Sequence, residues 1–213
     1  MIKWYDNIPL ISFIALRAKC RNCEFRINTQ YFVVELLAAI SFSLIYIIYG
    51  LSITTLLLLV LTIFFVIIFF IDLKHFIIPN ELTFPLMGIG FLKSFDPNLN
   101  QYLFPNYINS LVGGVIGYGV IWIIIFGYKK LKNKEGMGFG DAKLLSAIGF
   151  WFGWVSIPFI LFFSSFVALA FAIPDLLRKS KTMSSKIPYG PYLVLGCVLY
   201  IFLLEQIIKF INL

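Results

Sequence analysis

Hydrophobic positions in this chain fall into long blocks separated by short polar stretches. The blocks are Tyr31–Tyr49, Ile53–Ile71, Glu81–Leu92, Tyr107–Gly127, Ala142–Gly153, Trp154–Ile173 and Tyr192–Ile211. A bilayer core of about 30 Å takes about 20 apolar residues per helix, so the blocks predict membrane helices. Two blocks are short: Glu81–Leu92, which contains Pro85, and Ala142–Gly153. Short helices still serve as partial crossings, or as full ones where neighbours shield their ends. The pattern predicts an all-α, polytopic membrane helical bundle of about seven spans. Residues 1–30 form the one mixed polar block, and no internal repeat is visible.

Composition agrees with the pattern. Of 213 residues, 61% are hydrophobic and only 13% charged, and the mean hydropathy is +0.94. Soluble domains carry about 25% charged residues. The segment MIKWYDN has no apolar core behind a basic start and does not read as a signal peptide.

The net charge of +7 is accounted for by topology. With residues 1–30 in the cytoplasm and each block crossing once, loops 72–80, 128–140 and 174–191 also fall inside. That side then collects Lys3, Arg17, Lys19, Arg21, Arg26, Lys74, and the clusters Lys129–Lys134 and Arg178–Lys186. Lys93 and Lys209 lie near the outer ends, and Lys143 just beyond an inner loop. This is the positive-inside distribution. The basic excess faces anionic lipids. No groove-reading motif points to nucleic acid.

Ionisable groups at membrane depth are expensive, so each calls for a function. Asp72 closes the run LVLTIFFVIIFFID, and Asp141 follows GMGFG. In the topology above both lie at the cytoplasmic ends of their helices. Two carboxylates brought together repel, so one keeps its proton while the other ionises. The ionised partner can then take a proton from water while the protonated one donates to a carbonyl oxygen. The positive end of the following helix favours Asp141 as the more readily ionised partner. Gly136, Gly138 and Gly140 permit positive φ and leave room for a substrate backbone beside Asp141. The plainer reading of Asp141 alone is a helix N-cap.

These segments resemble the type IV prepilin peptidases, bacterial membrane aspartic proteases. GMGFGD with AKLL resembles the family's GxGD motif. IDLKHFIIPN resembles its first catalytic segment. DNIPLISFIALRAKCRNCEFRINTQYFVVELLAAI resembles its cytoplasmic segment and following helix, and IPYGPYLVLG the start of its final helix. The matches run in the family's order over nearly the whole chain. The resemblance implies that Asp72 and Asp141 are the catalytic pair, with Gly136, Gly138 and Gly140 as the supporting loop. It implies removal of short basic leaders from type IV prepilins or pseudopilins at the cytoplasmic face of the bacterial inner membrane. It also implies a 1–30 cytoplasmic segment before a 31–213 membrane peptidase domain. No cofactor is expected for proteolysis. Many members methylate the new N-terminus with S-adenosylmethionine.

The chain departs from the family in places. Members usually begin with an additional helix and a first Cys-x-x-Cys, and here only Cys20 and Cys23 remain of that pattern. A structural zinc site wants four ligands. The pair is therefore an incomplete zinc site or two unligated thiols, and methylation, which the family associates with this region, is in doubt. Position 80 is Asn where the family often has Asp. Glu35 could pair with a cation of the polar block. Gly113, Gly114, Gly117 and Gly119 suggest a close helix-packing face. The alternative to a peptidase is an ion- or proton-coupled transporter using the same aspartates as a relay, although carriers place such acids near the midplane. Oligomeric state is not legible.

Overall fold

In the computed structural model, residues 4–99, 103–132, 137–177 and 188–211 are described. Their elements are α1 (Ile11–Ala15), α2 (Thr29–Tyr49), α3 (Ile53–His75), α4 (Asn80–Leu92), α5 (Tyr107–Lys132), α6 (Phe139–Phe152), α7 (Ser156–Leu177) and α8 (Gly190–Ile211). Two 3₁₀ turns, Trp4–Asn7 and Lys93–Phe95, accompany them. Among the described residues the only β pairing is an isolated bridge between Lys19 and Arg26. The all-α expectation holds, and each predicted block is a helix.

Four helices are long and apolar enough to cross a membrane: Thr29–Tyr49, Ile53–His75, Tyr107–Leu131 and Ser156–Ile173. Gly190–Leu204 is a shorter apolar helix. The chain is thus a polytopic membrane protein. Helices α4 and α6 have 13 and 14 residues, below the length that spans a bilayer unaided.

The chain divides into two compact units, Met1–Val66 and Ile67–Leu213. In the first, the Asp6 carboxylate accepts from the Arg21 guanidinium through Nε at 3.1 Å and Nη2 at 2.8 Å. The turn around Cys20 and Cys23 is closed by the Cys20 N–H on the Phe25 carbonyl, 2.9 Å, and the Ile27 N–H on that of Ala18, 2.8 Å. Helix α2 begins where the Asn28 side chain accepts the Gln30 N–H at 2.9 Å, an N-cap. It ends at Gly50, whose φ of 61° only glycine adopts cheaply. Among the described residues Glu35 pairs with no cation. Its Oε2 accepts the Leu10 N–H at 2.8 Å, an amide exposed for capture because Leu10, with φ 60°, stands outside the helix that follows.

In the second unit the most extensive packing is between α5 and α6, then α7 with α8 and α4 with α6. Small residues let α5 and α6 approach to backbone contact. A Cβ on Gly149 would overlap the Gly113 carbonyl, one on Gly113 the Gly149 carbonyl, and one on Gly117 would lie 2.6 Å from the Leu145 carbonyl oxygen. A Cβ on Gly119 would meet nothing within 4 Å, so the face ends before it. Residues 113 and 117 lie one turn apart on one side, and 119 falls off that side. Ser146 Oγ donates to the Gly114 carbonyl at 2.8 Å and Ser110 Oγ to that of Phe150 at 2.7 Å.

Trp151 joins α6 to α4. It is fully buried and its Nε1–H donates to the Leu86 carbonyl at 2.8 Å. Beyond it, Lys93 Nζ donates to the Trp151 carbonyl at 2.8 Å and lies 3.9 Å from the Phe104 ring centre. A cation near a helix C-terminus meets its partial negative charge, and an aromatic face adds to this. These contacts fix α6 against α4 and α5, and thereby the position of its other end, where Asp141 stands.

Candidate active site

Three helix ends meet around two buried carboxyls. Asp72 lies one turn before the end of α3 and is 4% exposed; Asp141 lies in the first turn of α6 and is 8% exposed. Helix α3 stops because Phe76 takes a left-handed φ of 56° and Pro79 disfavours helix at the residue before it. The loop passes through Ile78, and Pro79, extended at φ −66° and ψ 142°, serves as N-cap of α4.

Helix α6 begins earlier than the sequence suggests. Gly138 is its N-cap and Asp141 its third residue. Asp141 is therefore not an N-cap: its Oδ2 reaches back to accept the Gly138 N–H at 3.2 Å, the return half of a capping arrangement. Gly138 is extended at φ −85° and ψ 146°, so positive φ is not what it supplies. Gly140 supplies space, since a Cβ there would lie 3.0 Å from the Ile78 Cβ. Gly136 lies outside the described residues.

The start of α8 completes the site. The Gly190 N–H donates to Asp72 Oδ2 at 3.0 Å. A Cβ at 190 would lie 2.7 Å from that oxygen and 2.9 Å from Ile78 Cδ1. Tyr189, just before it, shares a hydrogen bond with Ser165 of α7 at 3.0 Å; burial raises its pKa, that hydrogen bond opposes the rise, and the Asp141 charge adds to it. Tyr189 and Gly190 carried no sequence signal beyond the IPYGPYLVLG stretch. Beside Asp141, Lys143 Nζ donates to Asn80 Oδ1 at 2.6 Å.

The two carboxyls interact. Asp141, before the apolar stretch of α6 and outside the four long apolar helices, has its pKa raised from 3.8 to about 7. Burial is the main cause and the Asp72 charge the next, with the Gly138 N–H opposing both. The helix N-terminus was expected to keep Asp141 readily ionised; desolvation outweighs it.

Elsewhere, Cys20 and Cys23 are unlinked thiols, Cys23 exposed. Backbone N–H groups of Cys23 and Asn22 hold the Cys20 thiol below its ordinary 9.0, which suits a metal-binding thiolate. Among the described residues, however, no group of three or more His, Cys, Asp or Glu is placed to hold a metal. Two thiolates are half of a tetrahedral zinc site, so the described residues do not complete one.

The description "Type IV leader peptidase family" matches residues 59–173, which include both aspartates, and "Bacterial Peptidase A24 N-terminal domain" matches residues 1–49. The chain is 38% identical over 198 residues to the prepilin leader peptidase/N-methyltransferase of Aeromonas salmonicida strain A449, covering 90% of this chain and 64% of that protein. Identity to the protein of that name from Neisseria gonorrhoeae is 34% over 195 residues, covering 92% of this chain and 65% of the relative. For Pseudomonas aeruginosa it is 33% over 196 residues, covering 92% and 66%. The chain thus spans just under two thirds of the length of these curated relatives. No solved structure matches it. With a family match covering both carboxyl-bearing helix ends, the chain belongs to the type IV leader peptidase family.

Proposed function

We propose that this protein is a membrane aspartic endopeptidase that removes the short basic leader from type IV prepilins or pseudopilins, with Asp72 and Asp141 as the catalytic pair. One observation carries the proposal. Two buried carboxyls from distant parts of the chain stand within electrostatic reach of each other at three converging helix ends. Such a pair shares a proton, and its macroscopic titration belongs to both groups. The ionised carboxylate takes a proton from water as the water attacks the scissile carbonyl. The protonated carboxyl donates to the carbonyl oxygen, giving a tetrahedral diol. As the C–N bond breaks, the carboxyl that took the water proton gives it to the leaving amine, and a diol hydroxyl returns its proton to the other carboxylate. No cofactor enters these steps. Residues 1–30 and the site face the cytoplasm of the bacterial inner membrane in this proposal, which follows the distribution of basic residues. Residues 31–213 then form the membrane peptidase domain. Membership of a peptidase family does not favour the transporter alternative.

The relatives' names add N-methyltransferase. Methylation of the amine freed by cleavage, with S-adenosylmethionine as donor, is a second reading. It rests on those names and on the N-terminal match. No described side chain is given a role in it.

The test is leader removal from a co-expressed prepilin, read as a mobility shift on a gel. Asp72→Asn and Asp141→Asn should each abolish the shift while the protein still accumulates in the membrane. Processing by either variant would end the two-carboxyl mechanism.

A further inference from the structure

Each carboxyl of the pair is held in the same way. The Oδ2 of Asp141 accepts the N–H of Gly138, and the Oδ2 of Asp72 accepts the N–H of Gly190. In both cases the donor is a glycine amide at the start of a helix, α6 or α8. Among the described residues no hydrogen bond reaches the Oδ1 of either aspartate, so one oxygen of each is anchored and the other is left for chemistry.

The two glycines are not equivalent. Gly138 precedes Asp141 by three residues and acts within its own helix turn. Gly190 comes from the far end of the chain, 118 residues from Asp72. The Asp72 anchor therefore exists only while α8 is docked. Docking needs a bare Cα, because a Cβ at 190 would press both the Asp72 carboxylate and Ile78. Oxygen at 2.7 Å from a carbon is closer than van der Waals contact allows, so one of the two must move. The neighbouring Tyr189–Ser165 hydrogen bond ties the same end of α8 to α7.

We propose that Gly190 is a positioning residue for the catalytic pair: its N–H sets the rotation of the Asp72 carboxylate, and its missing side chain lets α8 close against it. The proposal rests on the two-aspartate reading above. In this proposal Gly190 has no direct part in holding substrate. It acts through Asp72, so its loss should lower kcat and leave KM near its wild-type value, whereas a residue that binds the leader would raise KM.

Two substitutions separate space from donor. Gly190→Ala keeps the N–H and adds the Cβ. Replacing Gly190 by glycolic acid, through suppression of a stop codon during translation, exchanges the N–H for an ester oxygen and adds no volume. Each is measured on the purified full chain in detergent with a prepilin, and Gly119→Ala, where the added carbon meets nothing, is the control. For Gly190→Ala the expected loss in kcat is on the order of 10²-fold, the cost of a ~1 Å misplacement at a reacting centre. For the ester it is about tenfold or more, the worth of one hydrogen bond to a charged group. KM should change little in both.

Combining Gly190→Ala with Ile78→Val removes the methyl nearest the new carbon but leaves the carboxylate contact. This double variant should fold as the wild type does and remain slow. Wild-type kcat in the ester form, or full recovery of kcat in the double variant, would overturn the proposal. Either result, with Asp72→Asn inactive, leaves the two-aspartate reading standing. Cleavage by Asp72→Asn would instead remove that reading.

Discussion

The Lys143 ammonium meets the side-chain oxygen of Asn80 across 2.6 Å, joining the first turn of α6 to the first residue of α4. The lysine lies two residues beyond Asp141 and so points away from the carboxyl on the helix, which frees it to brace a neighbouring element. Its ammonium also lies 5.7 Å from the Phe84 ring centre.

Lys143→Met and Asn80→Ala should therefore be non-additive. Their coupling in thermal unfolding should be about 0.5–1.5 kcal/mol, as for one hydrogen bond near the surface. Asn80→Asp turns the contact into an ion pair and should keep both stability and leader cleavage. Additive single variants would show that the contact does not form in the membrane.

The α5–α6 crossing makes a sharper demand. Gly149→Ala places a carbon on the Gly113 carbonyl, which is backbone and cannot swing aside. The helices must separate, and overpacking of this kind costs typically 1–3 kcal/mol. Gly119→Ala adds a carbon into open space and should stabilise its helix by about 0.5–1 kcal/mol. Thermal unfolding of both variants in one detergent tests the pair of signs, and equal shifts would rule out the close crossing.

The sequence was most informative where cost leaves a mark. Apolar blocks disclosed the helices because a membrane span cannot hide its composition. Asp72 and Asp141 were conspicuous because a carboxyl at the end of such a block is expensive. Gly113 and Gly117 showed a packing face through their one-turn spacing, although Gly119 does not share it. What escaped was work done by the main chain. Gly190 contributes an amide to Asp72, and Glu35 takes one from Leu10; every residue but proline carries that group, so no side-chain pattern announces it. The sequence places the start of α6 three residues late, because Asp141 caps from the third helical position instead of from the N-cap.

Trp151 offers a test of how α6 is held. Its Nε1–H is the donor to the Leu86 carbonyl in a fully buried contact. Trp151→Phe keeps an aromatic ring and loses the donor, which should cost about 1–3 kcal/mol. The other end of α6 carries Asp141, so leader cleavage should decline with stability as temperature rises and recover on cooling. A variant with wild-type unfolding would mean that ring packing alone carries the contact.

The raised pKa of Asp141 has a consequence for stability. A carboxyl with a folded-state pKa of about 7, against 3.8 ordinarily, holds its proton more tightly in the folded chain than in the unfolded one. Its contribution to stability is complete below about pH 4 and is lost as pH rises through about 7. Asp141→Asn removes the charge that burial and Asp72 penalise, while keeping an oxygen to accept the Gly138 N–H. The variant should be inactive in leader removal yet unfold at a higher temperature than the wild type at pH 8, by about 2–4 °C for each kcal/mol of penalty relieved. At pH 4 the two should converge, since the wild-type carboxyl is then protonated in the folded state. Unfolding followed by intrinsic fluorescence from pH 4 to 8 reads both limits. A difference that is independent of pH would place the effect in packing, and a wild type that is the more stable at pH 8 would show that the buried carboxyl is held ionised by its surroundings.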